Sequence, residues 1–359
     1  MIKAQRKSRS ELIATMLSGA WRQSLPTLEL SIDELAEIAP LLLGSGAGAL
    51  GWWRIKESSL ALSPAGEALH EAYRLHTLHA LLYQQKIKRV FSILRANHIE
   101  PILIKGWANA RLYPQAGLRP YGDVDLCVRP DRYALALRLL LEMDDAKLYP
   151  VDLHEALGRL DRRGFDEFYA RSQEVALDDE RVRVLAPEDH LHIICVHMLE
   201  DGAWRPIQLC DIAALVERAG AGFDWDVFLG RDKRRAKWVA SAINLAGRLL
   251  KARVEDCPAE VRSARLPRWL TPTVLKHWER PCIVDHRPPE LIMKTLRHPA
   301  RVPRAMLQRW PDPIGATIRL RGSFNQLPRL PFQMGDYLLK NGRFLGRLAG
   351  VKSLRRQML

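Results

Sequence analysis

The sequence predicts an α+β protein in which a small mixed β-sheet is flanked by N-terminal and C-terminal helical regions. Three observations carry that prediction. Helical periodicity dominates both ends of the chain, four short apolar runs between Pro101 and Leu185 have the length of strands, and those runs alternate with segments of helical spacing. With 359 residues, 47% hydrophobic and 27% charged, the chain has the composition of a globular protein able to bury one large core or two to three smaller ones.

Taken in order, Ile32 to Leu43 reads as a short helix running into the glycine-rich segment GSGAGALGWW. Gly46 to Gly51 matches GxGxxG in form, but no strand precedes it and Trp52-Trp53-Arg54 follows, so a turn before a buried Trp pair is expected there. Ser63-Pro64 is a helix start, with a capping hydroxyl and a proline in the first turn. From it a long helix extends to about Ala96, with Leu75, Leu78, Leu82, Ile87, Val90, Phe91 and Leu94 forming a buried face. The period then changes. Pro101 to Ile104 is strand-like, Ala108 to Tyr113 a short helix, Val124 to Val128 a strand, and Asp131 to Met143 a helix opened by Pro130. Strands are expected at Lys147 to Leu153 and Arg181 to Leu185 around a polar loop. Pro187 then opens a helical stretch that continues, with interruptions, to Leu250, including Trp204 to Ala219 and Lys233 to Leu250. Beyond Cys257, proline and arginine recur, which predicts short helices joined by turns, and from Tyr337 a basic amphipathic helix carries Leu338, Phe344, Leu345 and Leu348. The expected domains are therefore 1–68, an N-terminal helical region; 69–186, the α/β core; 187–256, a helical subdomain; and 257–359, a basic Pro/Arg-rich region.

No apolar run reaches the roughly 18 residues of a bilayer span, and the start MIKAQRKSRS is not followed by an apolar segment of signal-peptide length, so a cytoplasmic location is expected. The five cysteines form no CxxC pair and read as core thiols. A three-histidine zinc site from His190, His192 and His197 is sterically awkward on one helix, because 190 and 197 share a face while 192 points away, so they read as core or surface histidines. The net charge of +14 is uneven: residues 251–359 hold 22 Lys and Arg against 8 Asp and Glu, and the rest of the chain is balanced. Such a region suits an anionic partner or a membrane surface, or is simply solvated.

The chemistry concentrates in PILIKGWANARLYPQAGLRPYGDVDLCVR, from Pro101 to Arg129. Strand side chains alternate, so Asp123 and Asp125 share one face while Val124 and Leu126 enter the core. Two carboxylates side by side repel unless a cation lies between them, which points to a hard metal such as Mg²⁺. In Tyr149-Pro150-Val151-Asp152-Leu153-His154, Asp152 and His154 share a face, and a neighbouring strand would bring Asp152 to the pair as a third carboxylate, sufficient for two metal ions. Asp152 is then a general base or a metal ligand, and His154 could order it or touch the acceptor. Gly106 lets the backbone approach a phosphate, while Lys105 and Arg119 can supply charge to it; the alternatives are a surface lysine and a fork-shaped structural salt bridge.

As an ordered set, Lys105-Gly106, Arg119, Asp123-Val124-Asp125-Leu126, Val151-Asp152-Leu153-His154 and Pro187-Glu188-Asp189 resemble a group of bacterial nucleotidyltransferase-like proteins within the DNA polymerase β-type superfamily. Trp107 stands where that superfamily usually has a second small residue, and the gap from Gly106 to Asp123 is longer. The resemblance implies a metal-dependent nucleotidyltransferase with Asp123, Asp125 and Asp152 as catalytic metal ligands, and Lys105, Gly106, Arg119 and His154 on the nucleotide side. It further implies two Mg²⁺ ions, an NTP co-substrate, and transfer of NMP, with AMP expected, to a hydroxyl or phosphate of a small-molecule, peptide or protein acceptor. Two other readings stay open: a binding module whose basic C-terminal region recruits an anionic peptide or nucleic acid, and kinase-type phosphoryl transfer from the same site. Asp211, in QLCDIAALVE, is expected to be structural.

Overall fold

The computed structural model describes residues 7–143, 150–155, 157–158, 161, 163–280 and 310–340. Three helices open the chain: α1 (Arg9–Leu17), α2 (Ile32–Ser45) and α3 (Gly48–Ile55). Ser8 and Ser31 cap the first two, each hydroxyl accepting an amide that Glu11 or Glu34 reciprocates. The glycine-rich segment is not a simple turn. Gly46, at φ 80°, ends α2 in the left-handed conformation, and the chain re-enters a helix at Gly48. A helix rather than a strand therefore precedes the GxGxxG pattern, which removes its dinucleotide-binding context. Of the Trp pair only Trp53 is buried; Trp52 is half-buried and stacks on His70 with ring centroids 4.0 Å apart.

The long helix α4 (Pro64–Ala96) begins as expected, with the Ser63 hydroxyl accepting the Gly66 amide. Its predicted buried face holds only in the second half. Ile87, Val90, Phe91 and Leu94 are buried, but Leu75, Leu78 and Leu82 are 49%, 54% and 40% exposed. The sheet lies under the C-terminal half alone, and the N-terminal half rests on α2 and α3 through a different face that includes Leu69.

The five strands are β1 (Ile102–Leu103), β2 (Val124–Cys127), β3 (Val151–His154), β4 (Gln173–Leu177) and β5 (Glu180–Val184), in the spatial order β3-β2-β1-β5-β4. The sheet is mixed: β2 runs parallel to β3, β1 parallel to β5, and the β1-β2 and β4-β5 pairs are antiparallel. Between the strands lie α5 (Trp107–Ala110), α6 (Tyr133–Leu141) and α7 (Phe165–Arg171). A short helix does follow β1, but it ends at Ala110 rather than Tyr113, and the first turn of the predicted helix at Asp131 is a 3₁₀ turn, Pro130–Arg132. The polar loop expected before β5 contains α7 and β4 instead. Their charged sequences hide them, since α7 buries only Phe165 and Phe168. Of the strand expected at Lys147 to Leu153, residues 147–149 lie outside the described residues.

The chain continues with α8 (Pro187–Glu200), α9 (Pro206–Val216), α10 (Trp225–Leu229), α11 (Lys233–Leu250), α12 (Ala259–Arg262), α13 (Leu270–Trp278), α14 (Pro313–Arg319) and a last helix, α15, over 330–340. The expected terminal amphipathic helix is described only as far as Lys340, and there Leu338 is exposed.

Alternation along β2 divides two cores. Val124, Leu126 and Val128 face α4 and α6, whereas Cys127 joins Ile102, Ile104, Phe165, Phe168 and Ile193 on the side of α7 and α8. A third and larger core joins α1, α2 and α3 to α8, α9, α11 and α13, so the two ends of the chain share one apolar interior. Cys127, Cys195, Cys210 and Cys257 are buried free thiols, and Cys282 lies outside the described residues. Among the described residues no helix is long and apolar enough to cross a membrane.

Candidate active site

The parallel pairing of β2 with β3 fixes the site. Asp125 and Asp152 are register partners, as are Cys127 and His154 one pleat further on. On parallel strands in register, the two carboxylates leave the sheet on the same face. Asp125, in a central strand, is 2% exposed; Asp152, on an edge strand, keeps its side chain 57% exposed. His154 Nε2 lies 3.2 Å from Asp152 Oδ2 and 3.7 Å from Asp125 Oδ1. Single ligand atoms from Asp125, Asp152 and His154 all fall within 4.8 Å of one another.

Lys105, after β1, sends its ammonium to Asp125 Oδ1 at 2.8 Å. Burial pushes the Asp125 carboxyl up, but His154 and Lys105 outweigh it and hold the group below its usual range. Asp123 sits just before β2 and is exposed, outside the Asp125–Asp152–His154 cluster. Partial desolvation, then repulsion from Asp125, raise its carboxyl above the usual range, with Lys105 and Arg119 pulling the other way. The neighbouring carboxylates are thus shifted in opposite directions.

Gly106 connects Lys105 to α5 at φ 61° and ψ −111°, a conformation for which side chains are unsuited. A Cβ there would meet the backbone oxygen of Asp123 at 3.2 Å, so the glycine also permits close approach of the two motif segments. The intervening loop is pinned to α4. Tyr83 donates to the Gly122 carbonyl, Tyr121 donates to the Ala80 carbonyl, and Gly117 at φ 84° lies against the Thr77 backbone.

Arg119 does not share the cluster. Its Nε and Nη2 donate to the Asp211 carboxylate, with Nη2 to Oδ2 at 2.8 Å, and Nη1 donates to the Pro120 carbonyl. Asp211 also accepts from Asn109 Nδ2 at 2.9 Å and from the Tyr113 hydroxyl at 2.8 Å, while Asn109 Oδ1 meets His190 Nε2. Burial opposes the Arg119 charge, but Asp211 wins and raises its pKa. This buried fork ties the motif loop to α9 and α8.

One site neighbour is absent from the sequence motifs. His197 on α8 is pushed down by burial; Asp201 and Asp125 oppose that shift, and Lys105 and Arg119 reinforce it, so its imidazole lies within the electrostatic reach of the site. It pairs with Asp201 at 3.3 Å and with the Gln208 amide at 3.4 Å. The only sequence signal for it is the four-residue spacing of His197 and Asp201. His190 and His192 are buried and engaged with Asn109 and the Phe228 carbonyl, so among the described residues the three histidines form no metal cluster.

The donor set fits a divalent cation. Neither Asp125 Oδ1 nor His154 Nε2 has a well-directed hydrogen bond among the described residues although both are buried, and two carboxylates with an imidazole are ordinary ligands of such ions. No curated protein and no solved structure matches the chain. The model of a family described as uncharacterised nucleotidyltransferase matches residues 46–251, which contain α3 to α11, the whole sheet and every residue of the site. With more than half its length matched, and with paired strand carboxylates and a lysine-glycine turn inside the match, the chain belongs to this uncharacterised nucleotidyltransferase family.

Proposed function

We infer that the protein transfers a nucleoside monophosphate, with AMP the expected group, from an NTP to a hydroxyl or phosphate of a separate acceptor. The observation that carries this reading is the convergence of Asp125, Asp152 and His154 ligand atoms within 4.8 Å on two adjacent strands. Asp125, Asp152 and His154 would hold a divalent cation, Mg²⁺ in the leading version, with Asp123 beside them as the candidate contribution to a second. Such a cation would offset charge on the phosphates and favour ionisation of an acceptor hydroxyl.

The chain's own groups supply the remaining functions. Exposed Asp152 is the candidate to accept the acceptor's proton as its oxygen attacks the α-phosphorus and pyrophosphate departs. His154, whose Nε2 lies 3.2 Å from Asp152 and 3.7 Å from Asp125, is the candidate third ligand beside the two carboxylates. Lys105 is the candidate to exchange Asp125 for a donor phosphate, and Gly106 keeps the backbone near enough to Asp123 for both to face one ligand. Arg119, held in its fork with Asp211, contributes positive potential and fixes the loop.

The test uses NTP labelled at the α or the γ position, Mg²⁺ and a panel of acceptors, with Asp125→Ala as the comparison. Transfer of α label that falls by about 10²-fold or more in the variant supports the reading. Transfer of γ label would assign a kinase reaction instead. Undiminished α transfer by Asp125→Ala would remove the proposed site.

A further inference from the structure

We propose that an open groove on the helical side of the molecule binds a single strand of nucleic acid, with phosphates on three arginines and a base on an indole. The groove has a volume of about 880 Å³ and lies between the end of α11, the connection from α12 to α13, and the segment after α14. None of its lining residues belongs to the strand site, and the proposal does not depend on nucleotidyl transfer.

Its rim carries Arg248, Arg265 and Arg268, all exposed. No carboxylate lines the groove. By contrast, the more buried Arg22, Arg95, Arg119, Arg163 and Arg319 each hold a carboxylate partner. Three exposed like charges around one concavity repel one another and are relieved by an anion. Guanidinium forks match phosphate oxygens in geometry.

The floor adds a planar surface. Val254 and Leu266 supply aliphatic contact, and Trp269 supplies a ring. The indole is held in place before any ligand arrives: its N–H donates to the Asn325 carbonyl at 2.8 Å, Phe324 meets it edge-on, and the Arg329 guanidinium lies 5.0 Å from its centroid. Arg329 is itself buried and fixed by the Leu327 and Ser323 carbonyls. A preset aromatic surface beside several exposed arginines is the combination that single strands use, since every base offers a face to stack and every link a phosphate. The groove also lies in the part of the sequence that holds the whole charge excess, 22 basic against 8 acidic residues over 251–359.

Fluorescence anisotropy of a labelled 12-nucleotide mixed-sequence strand, titrated with the full chain at several salt concentrations, tests the proposal. The triple variant Arg248→Ala/Arg265→Ala/Arg268→Ala is expected to bind at least tenfold more weakly, with a log-affinity against log-salt slope about two units shallower, at about 0.7 per phosphate lost. A charge-matched control, Arg74→Ala/Arg138→Ala/Arg181→Ala on α4, α6 and β5, is expected to retain wild-type affinity. Trp269→Ala is expected to lose about fivefold or more through the lost stacking. The arginines are exposed, so the triple variant reports on binding even if the Trp269 variant fails to fold. Equal binding by wild type and the groove triple, or equal losses in the two triples, would overturn the proposal. Competition by AMP at the same concentrations as unlabelled strand would also overturn it, by making the ligand a free nucleotide.

Discussion

At the scale of single residues, the site is defined by a competition for one oxygen. Asp125 Oδ1 is held by the Lys105 ammonium at 2.8 Å, and the same carboxylate belongs to the cluster that fits a cation. Two positive groups at one buried carboxylate raise each other's energy, so a metal and Lys105 should exclude each other until a phosphate takes the lysine. The expected outcome for Lys105→Met is tighter Mn²⁺ binding in the absence of nucleotide, by roughly tenfold, together with weaker NTP binding. Isothermal titration of both ligands checks it, and unchanged Mn²⁺ affinity would show that the lysine does not compete. Much at this scale was legible in the chain. The alternation of Asp123-Val124-Asp125-Leu126 put carboxylates and core residues on opposite faces, and the structure has Val124 and Leu126 in the core beneath α4. The partner of Arg119 was not legible. Asp211 lies 92 residues away, and only the packing of α9 against the motif loop brings its carboxylate to the guanidinium.

Secondary-structure elements explain why that loop holds its shape. It leaves β1 through Gly106, is pinned to α4 by Tyr83 of that helix and by its own Tyr121, and is fastened to α9 by the Arg119–Asp211 fork. With Asp211 side-chain exposure at 1% and Arg119 at 15%, removal of one partner strands a buried charge. Asp211→Leu alone is expected to cost about 3–5 kcal/mol, and Arg119→Met/Asp211→Leu to recover part of that loss, because no uncompensated charge remains. Urea denaturation of the two singles and the double closes the cycle. If the double lost as much as the sum of the singles, the fork would carry no coupling. The start of α4 was readable from its Ser63-Pro64 cap and the span of α11 was read as Lys233 to Leu250; in the structure Ser63 caps α4 and α11 runs from Lys233 to Leu250. The exposure of Leu75, Leu78 and Leu82 was not, because helical spacing tells which residues share a face but not whether another element covers it. Elements such as α7 and β4 escaped the reading for the opposite reason, having too few apolar residues to declare a period.

Across the whole molecule, α8 is the hinge of the architecture. Its Ile193 packs against the sheet, Leu191 and Ile194 enter the large helical core, and His190 reaches Asn109 on α5. Burial pushes the His190 imidazole down to about 3, with the Arg111 and Arg119 charges adding to the effect. An unfolded chain takes up that proton below about 6.5, whereas the folded chain refuses it until about 3. The folded state therefore binds fewer protons across this window, and stability must fall as pH drops through it. The slope from this one group approaches about 1.4 kcal/mol per pH unit. Chemical denaturation at several pH values should show His190→Gln with a shallower loss than wild type between pH 6.5 and 4; parallel curves would mean that the imidazole is protonated in the folded protein as readily as outside it.

The amino-acid sequence alone determined the α+β class, the order of helices, small sheet and helices, the entry of Val124 and Leu126 into the core on the face opposite Asp125, and the concentration of charge in residues 251–359. Each of these rests on local spacing, which needs no knowledge of distant residues. The tertiary structure decided the rest: that Asp152 stands in register with Asp125, that His154 rather than Asp123 completes the tight cluster, that Lys105 pairs with Asp125, and that α1 to α3 share a core with helices from the far end of the chain. Those facts depend on which strand pairs with which and which helix face is covered. Both are set by burial summed over the whole fold, and no local window contains that sum.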